Sequence, residues 1–245
     1  MKKTICSIML SLLASNMAFA DEPNKGKGST YDNMVNSLVD DDYDVFIDGG
    51  DSAVIGDNVT EPMTASQLIA MYEKNELAAN KKFKGKLVRI KSTASEIGEN
   101  AVGQAYIRVD GKNTFQNVTL LVDGSDDRVL GLEKGGKVDF SCSMDKYIMR
   151  TPVLKSCQFT SDLAKQRKEN ILSGLSEEKI SFRYQAFLLA AYDLNKTEFE
   201  KSCANAGKSC LNTIAKVFND GKEVDKVVER AKVLTEGKEL PPLPF

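Results

Sequence analysis

Between Leu87 and Phe159 the chain breaks into five short runs whose apolar residues alternate with polar ones: "LVRIKSTASEI" (87–97), "QAYIRVD" (104–110), "FQNVTLLVD" (115–123), "KVDFSCSMD" (137–145) and "VLKSCQF" (153–159). Turn residues separate them, including Gly98 to Gly103, "DGKN" (110–113), "DGSDD" (123–127), Gly131 to Gly136 and "RTP" (150–152). A period of two places alternate side chains on opposite faces of a strand. Ile107 and Val109 thus share one face and Tyr106 and Arg108 the other. Val118, Leu120 and Val122 line a face, as do Val138, Phe140 and Cys142. A helix precedes the strands. Thr64 with Gln67 three residues on is a capping-box pair, and Leu68, Ile69, Tyr72, Leu77 and Ala79 follow with roughly helical spacing. One helix and five short strands suggest a small closed barrel, a shape that leaves no open sheet edge.

The stretch "MTASQLIAMYEKNELAANKKFKGKLVRIKSTASEI" makes that expectation specific. It carries Tyr72, Asn75, Glu76 and Ala79 on the helix, then Phe83, Lys84, Gly85 and Lys86 at the step into the first strand. In this it resembles the tRNA-anticodon-binding-like OB-fold family of exported bacterial proteins. The resemblance covers about residues 64–159. It implies an oligonucleotide/oligosaccharide-binding (OB) barrel with a cysteine in each of the last two strands, matched by Cys142 and Cys157. The family name records likeness of fold and does not imply tRNA binding. The dense phrase around Asn75-Glu76 reads as a structural join, with Tyr72 and Leu68 packing the helix on the barrel and Gly85 turning the chain.

The flanks differ in character. Lys2-Lys3, the apolar "TICSIMLSLLASNM" and Ala18-Phe19-Ala20 form a signal-peptide pattern with cleavage expected after Ala20, which places the protein in the periplasm. Residues 21–63 hold two basic and eleven acidic residues and are expected to form an acidic, flexible region. Residues 64–159, with fifteen basic and eleven acidic residues, are the OB-fold domain. Residues 160–245 read as a helical domain. Its helices are "LAKQRKENILSGL", then "ISFRYQAFLLAAYDL" behind Ser176, Glu177 and Glu178, a third behind a Thr197/Glu200 capping box, then "SCLNTIAKVFNDG" and "KEVDKVVERAKVL". The stretch 199–234 is also similar to one unit of the cysteine-rich, tetratricopeptide-like repeats of secreted bacterial proteins. The fold class is therefore α+β: an N-terminal helix and a five-stranded OB-type barrel followed by a helical bundle.

Without Cys6 four cysteines remain, and four allow three connectivities. Their spacing favours two local pairs. Cys142–Cys157 would join strands that share a hairpin, and Cys203–Cys210 would span a short inter-helix turn containing Gly207. An oxidising compartment lets such bonds persist.

Chemistry is narrowed by what the chain lacks. There is no histidine, so histidine triads and histidine general bases are excluded. The cysteines lack Cys-x-x-Cys spacing, which argues against zinc. Asp40, Asp42 and Asp44 alternate as in a calcium loop, but Val45 stands where glycine is needed and Asp51 where a glutamate is usual. "GLEKGGK" (131–137) lacks the order of a phosphate-binding loop and reads as a turn. No metal, cofactor or catalytic residue is assigned. The expected role is binding of another periplasmic or envelope protein. Binding of single-stranded nucleic acid or oligosaccharide by the barrel is the alternative, and an enzyme of unknown type a third. The residues expected to meet a ligand are Tyr106 and Arg108 on the second strand, Arg89 and Lys91 on the first, and Lys84 and Lys86 at its mouth. Aromatic stacking beside positive charge suits a base or a sugar. The acidic stretch Val39–Asp51 is a candidate to fold back over the basic residues from Lys81 to Lys91, anchored by Val45, Phe46 and Ile47.

Overall fold

The structure, a computed structural model, describes residues 28–176 and 184–241. The expected signal peptide (1–20), the Glu177-Glu178 helix start and the last residues of the tail lie outside them. Five strands close into a barrel: β1 (Leu87–Glu99), β2 (Ala105–Asp110), β3 (Asn117–Val122), β4 (Lys137–Ile148) and β5 (Thr151–Phe159). Their order around it is β1-β2-β3-β5-β4. Only β3 and β5 pair in parallel. The alternation seen in the sequence sets the register. Val109 lies opposite Val118, Ile107 opposite Leu120, Ile90 opposite Phe140, and all six are buried in one core.

Helix α2 (Ala65–Lys74) lays Leu68, Ile69 and Tyr72 on that core. Its Thr64/Gln67 capping box forms as expected. The helix stops at Asn75, which caps the end of α2 and whose side chain accepts from the Ala78 amide to start α3 (Glu76–Phe83). Gly85 has φ of +74°, a conformation that favours glycine, and there the chain turns into β1. A short α4 (Asp127–Leu130) links β3 to β4.

The second unit is a helical bundle. Its members are α1 (Gly28–Asp48), α5 (Thr160–Ser173), a 3-10 turn (Gly174–Ser176), α6 (Gln185–Leu194), α7 (Lys196–Ser202), α8 (Lys208–Asn219) and α9 (Gly221–Leu234). Helix α1 corrects the expectation of a flexible acidic region. Tyr31, Met34, Val35, Val39 and Phe46 recur at helical spacing and are buried with Phe187, Leu189, Phe199, Ile214 and Val217. The aspartates Asp40, Asp41, Asp44 and Asp48 occupy its exposed side. Net charge obscured an amphipathic helix. The helical unit is therefore discontinuous in sequence, with the barrel inserted between α1 and α5. Helix α7 also departs from expectation. It starts after Asn195 without a side-chain cap, and Thr197 lies inside it.

Both expected disulfides form. Cys142–Cys157 ties β4 to β5, and Cys203–Cys210 spans the turn between α7 and α8. Among the described residues no helix is long and apolar enough to cross a membrane.

Candidate binding surfaces

The six residues expected to meet a ligand fall into three separate environments. Tyr106 and Arg108 do lie together on the outer face of β2. Their neighbour there is Glu96, which sits opposite Arg108 in the β1–β2 ladder. The Tyr106 hydroxyl donates to Glu96, and an Arg108 Nη1 donates to the same carboxylate at 2.5 Å. The guanidinium also lies 5.3 Å from the centre of the Tyr106 ring. The shared carboxylate is held below the ordinary glutamate range, first by the phenol's hydrogen bond and also by Arg108. The same hydrogen bond pushes the Tyr106 phenol up. The Tyr106 hydroxyl and Arg108 Nη1 are both taken up by Glu96, while the buried Nε of Arg108 has no hydrogen-bond partner among the described residues. A phosphate arriving at Arg108 meets a carboxylate already in place.

Arg89 is not at a ligand face, which corrects the sequence expectation. It is buried, and each part of its guanidinium has a partner. Nε and Nη2 form a forked pair with Asp139 at 2.9 and 2.6 Å. Nη1 and Nη2 donate to the carbonyls of Phe46 and Ile47 at 2.5 and 3.0 Å, and the guanidinium covers the Phe46 ring at 4.9 Å. These carbonyls belong to the last turn of α1, which lacks intrahelical partners and favours a cation. Arg89 thus fastens the end of α1 to the barrel wall. Part of the expected fold-back is realised here, at Phe46 and Ile47, but by a helix end and on one arginine. Lys84, Lys86 and Lys91 remain exposed, with no carboxylate partner among the described residues.

Two further features strengthen the joint between barrel and bundle. Val59 and Met63 bridge in parallel to Leu87 and Ile90, so the connection from α1 runs along β1 as an extra short strand. Arg167 of α5 donates to the carbonyls of Ile55 and Asp57 at 2.7 and 2.6 Å. Asp42, one of the calcium candidates, is taken up locally. Its carboxylate accepts from the Ser52 hydroxyl and from the amides of Ala53, Val54 and Ile55. Asp40 pairs with Lys168 at 2.6 Å.

An opening lies in the bundle, where the ligand expectations did not look. A cavity of about 650 Å³ lies between α1, α6 and α8. Leu38, Val54, Phe187 and Leu188 form its walls, and Leu211, Asn212, Ala215 and Phe218 line it along α8. The twelve residues of α8 make it roughly 18 Å long. The adjoining face of α8 buries Cys210, Ile214 and Val217 in the bundle core, with Ile214 also lining the cavity. The signal was present in the sequence as a second apolar stripe, Leu211, Ala215 and Phe218, at helical spacing beside the buried one.

The family model tRNA_anti-like matches residues 2–158. The chain belongs to the tRNA_anti-like family. No curated protein and no solved structure matches it. The tRNA_anti-like match runs through α1 and ends one residue before the close of β5, so it takes in the whole barrel. It supports a binding role for the tRNA_anti-like barrel, and no tetratricopeptide-like unit is needed to account for it. The groove along α8 combines walls from inside the match, on α1, with walls from outside it, on α6 and α8.

Proposed function

We propose that this chain is an exported protein whose work is binding rather than catalysis, and that it engages a segment of another periplasmic or envelope protein. The observation that carries the reading is the groove along α8. Its walls are mainly apolar, and Asp41, Asp42, Lys208, Asn212 and Asn219 are the polar residues that line it. A mainly apolar cleft of this size suits the apolar face of a helix or an extended segment. The barrel, fastened to α1 through Arg89, is the rigid support behind it. Export is supported by the leader pattern at residues 1–20 and by the two disulfides. The Arg108 guanidinium, already paired with Glu96, gives less support to nucleic acid on the β2 face.

The test places a photo-crosslinking residue at Ala215 in the groove, and in a second protein at Lys165 on the exposed side of α5. Both proteins begin at Asp21 and are irradiated in envelope extract. A discrete adduct at Ala215, absent at Lys165 and lost when Leu211→Glu is added, is the expected result. Equal labelling at both positions overturns the reading.

A further inference from the structure

Eight large hydrophobic side chains are exposed among the described residues, and four of them gather at one end of the barrel. Leu77 is 82% exposed, Phe115 93%, Ile148 46% and Met149 93%. They come from three elements that are pinned together. Glu73 of α2 accepts, on one oxygen, from Gln116 in the β2–β3 turn at 3.0 Å and from Arg150 in the β4–β5 turn at 2.9 Å. Tyr72 stacks on Tyr147 at 4.6 Å, which brings the α2–α3 junction against the same hairpin. The hairpin tip is Met149-Arg150, with φ of +48° and +65°. Two-residue tips of this kind favour Asn-Gly, and a methionine and an arginine there cost conformational energy.

We infer that this end of the barrel is a docking surface for an anionic lipid bilayer. Three points select that occupant. The apolar groups stand at turn tips and at a helix start, so they protrude instead of lining a cleft. A fluid interface accepts separate protruding side chains, whereas a stable protein interface needs a packed apolar centre. Exposed apolar groups gathered in one place mark an interaction site. The charge around them is also suited to anionic headgroups. Lys74, Lys81, Lys82 and Lys112 are exposed and have no carboxylate partner among the described residues, against Glu76 and Asp110 as the carboxylates outside ion pairs. Juxtamembrane lysines of this kind are attracted to anionic leaflets within a Debye length. This surface is separate from the groove along α8, and neither depends on the other.

Vesicle flotation tests it, using the chain without residues 1–20 so that the apolar leader cannot itself partition. The protein is expected to float with vesicles containing phosphatidylglycerol, to stay behind with phosphatidylcholine alone, and to be released by salt. The double variant Phe115→Ser/Met149→Ser is expected to bind roughly tenfold more weakly with an unchanged melting temperature, since both side chains are exposed. Failure of the parent protein to float overturns the inference. So does equal flotation of the double variant, which would leave lysine electrostatics alone. A concentration-dependent dimer that the double variant loses would assign the surface to a second copy and overturn it equally.

Discussion

Arg89 and Arg108 are both strand arginines on outer faces of the barrel, and their neighbours give them opposite lives. Arg108 stands beside a carboxylate and a phenol at the surface. Arg89 is covered by the end of a helix that begins some sixty residues earlier in the chain. No local pattern distinguishes them, because the partner that buries Arg89 is brought by tertiary structure. Replacing Arg89 by Ala removes the guanidinium donors to the Phe46 and Ile47 carbonyls, leaving Phe46 only the Gly49 amide, and leaves Asp139 without its pair. A loss of roughly 2–4 kcal/mol is expected, read from urea unfolding. The Glu96 cluster makes a prediction in pH. The phenol of Tyr106 is raised, so its contribution is present at neutral pH and is lost as pH rises through the folded value. The carboxylate of Glu96 is lowered, so its contribution is present above the unfolded value and is lost as pH falls through the folded one. Glu96→Ala removes the acceptor whose hydrogen bond, and secondarily whose charge, raises the phenol. The Tyr106 transition should then move down toward 10.0, followed by ultraviolet titration and assigned with Tyr106→Phe. An unmoved transition would mean that the hydrogen bond is not what shifts it.

At the scale of elements, the strands were legible and α1 was not. All five strand runs fall on β1 to β5 to within a few residues, because period-two alternation coincides with one buried face in each. The Thr64 cap was equally legible, since its partner is only three residues away. Helix α1 was hidden by averaging. Its apolar residues at 31, 34, 35, 38, 39 and 46 form a helical stripe, but the aspartates between them lower the mean hydropathy of the stretch. Of the candidate site, the pairing of Tyr106 and Arg108 was readable from alternation. The groove was not found, because it forms between helices distant in sequence. The buried stripe of α1 has a direct test. Val35→Asp places a charge among the fully buried residues of the bundle and should abolish cooperative unfolding of the helical unit, while Asp44→Ala on the exposed side should leave the melting curve nearly unchanged. Native-like melting of Val35→Asp would remove α1 from the core.

For the whole molecule, the decisive feature is that the barrel is inserted into the bundle. Asn33 of α1 donates to the carbonyl of Cys203, across 170 residues of chain, and Ser37 accepts from the amide of Gly207. The same α1 is joined at its other end to the barrel through Arg89. The two units therefore share one helix, and disturbing that helix reaches both. This ordering has a consequence for synthesis. Chains are made from the amino end, so α1 emerges first and its closing partners emerge last. The barrel can pair its strands from a continuous stretch while α1 still waits for α6 and α8. During that interval the apolar stripe of α1 lacks the side chains of α6 and α8 that cover it. Biogenesis thus has a vulnerable window whose length is set by the time needed to make the barrel, and a holding chaperone would find its client segment at Tyr31–Phe46.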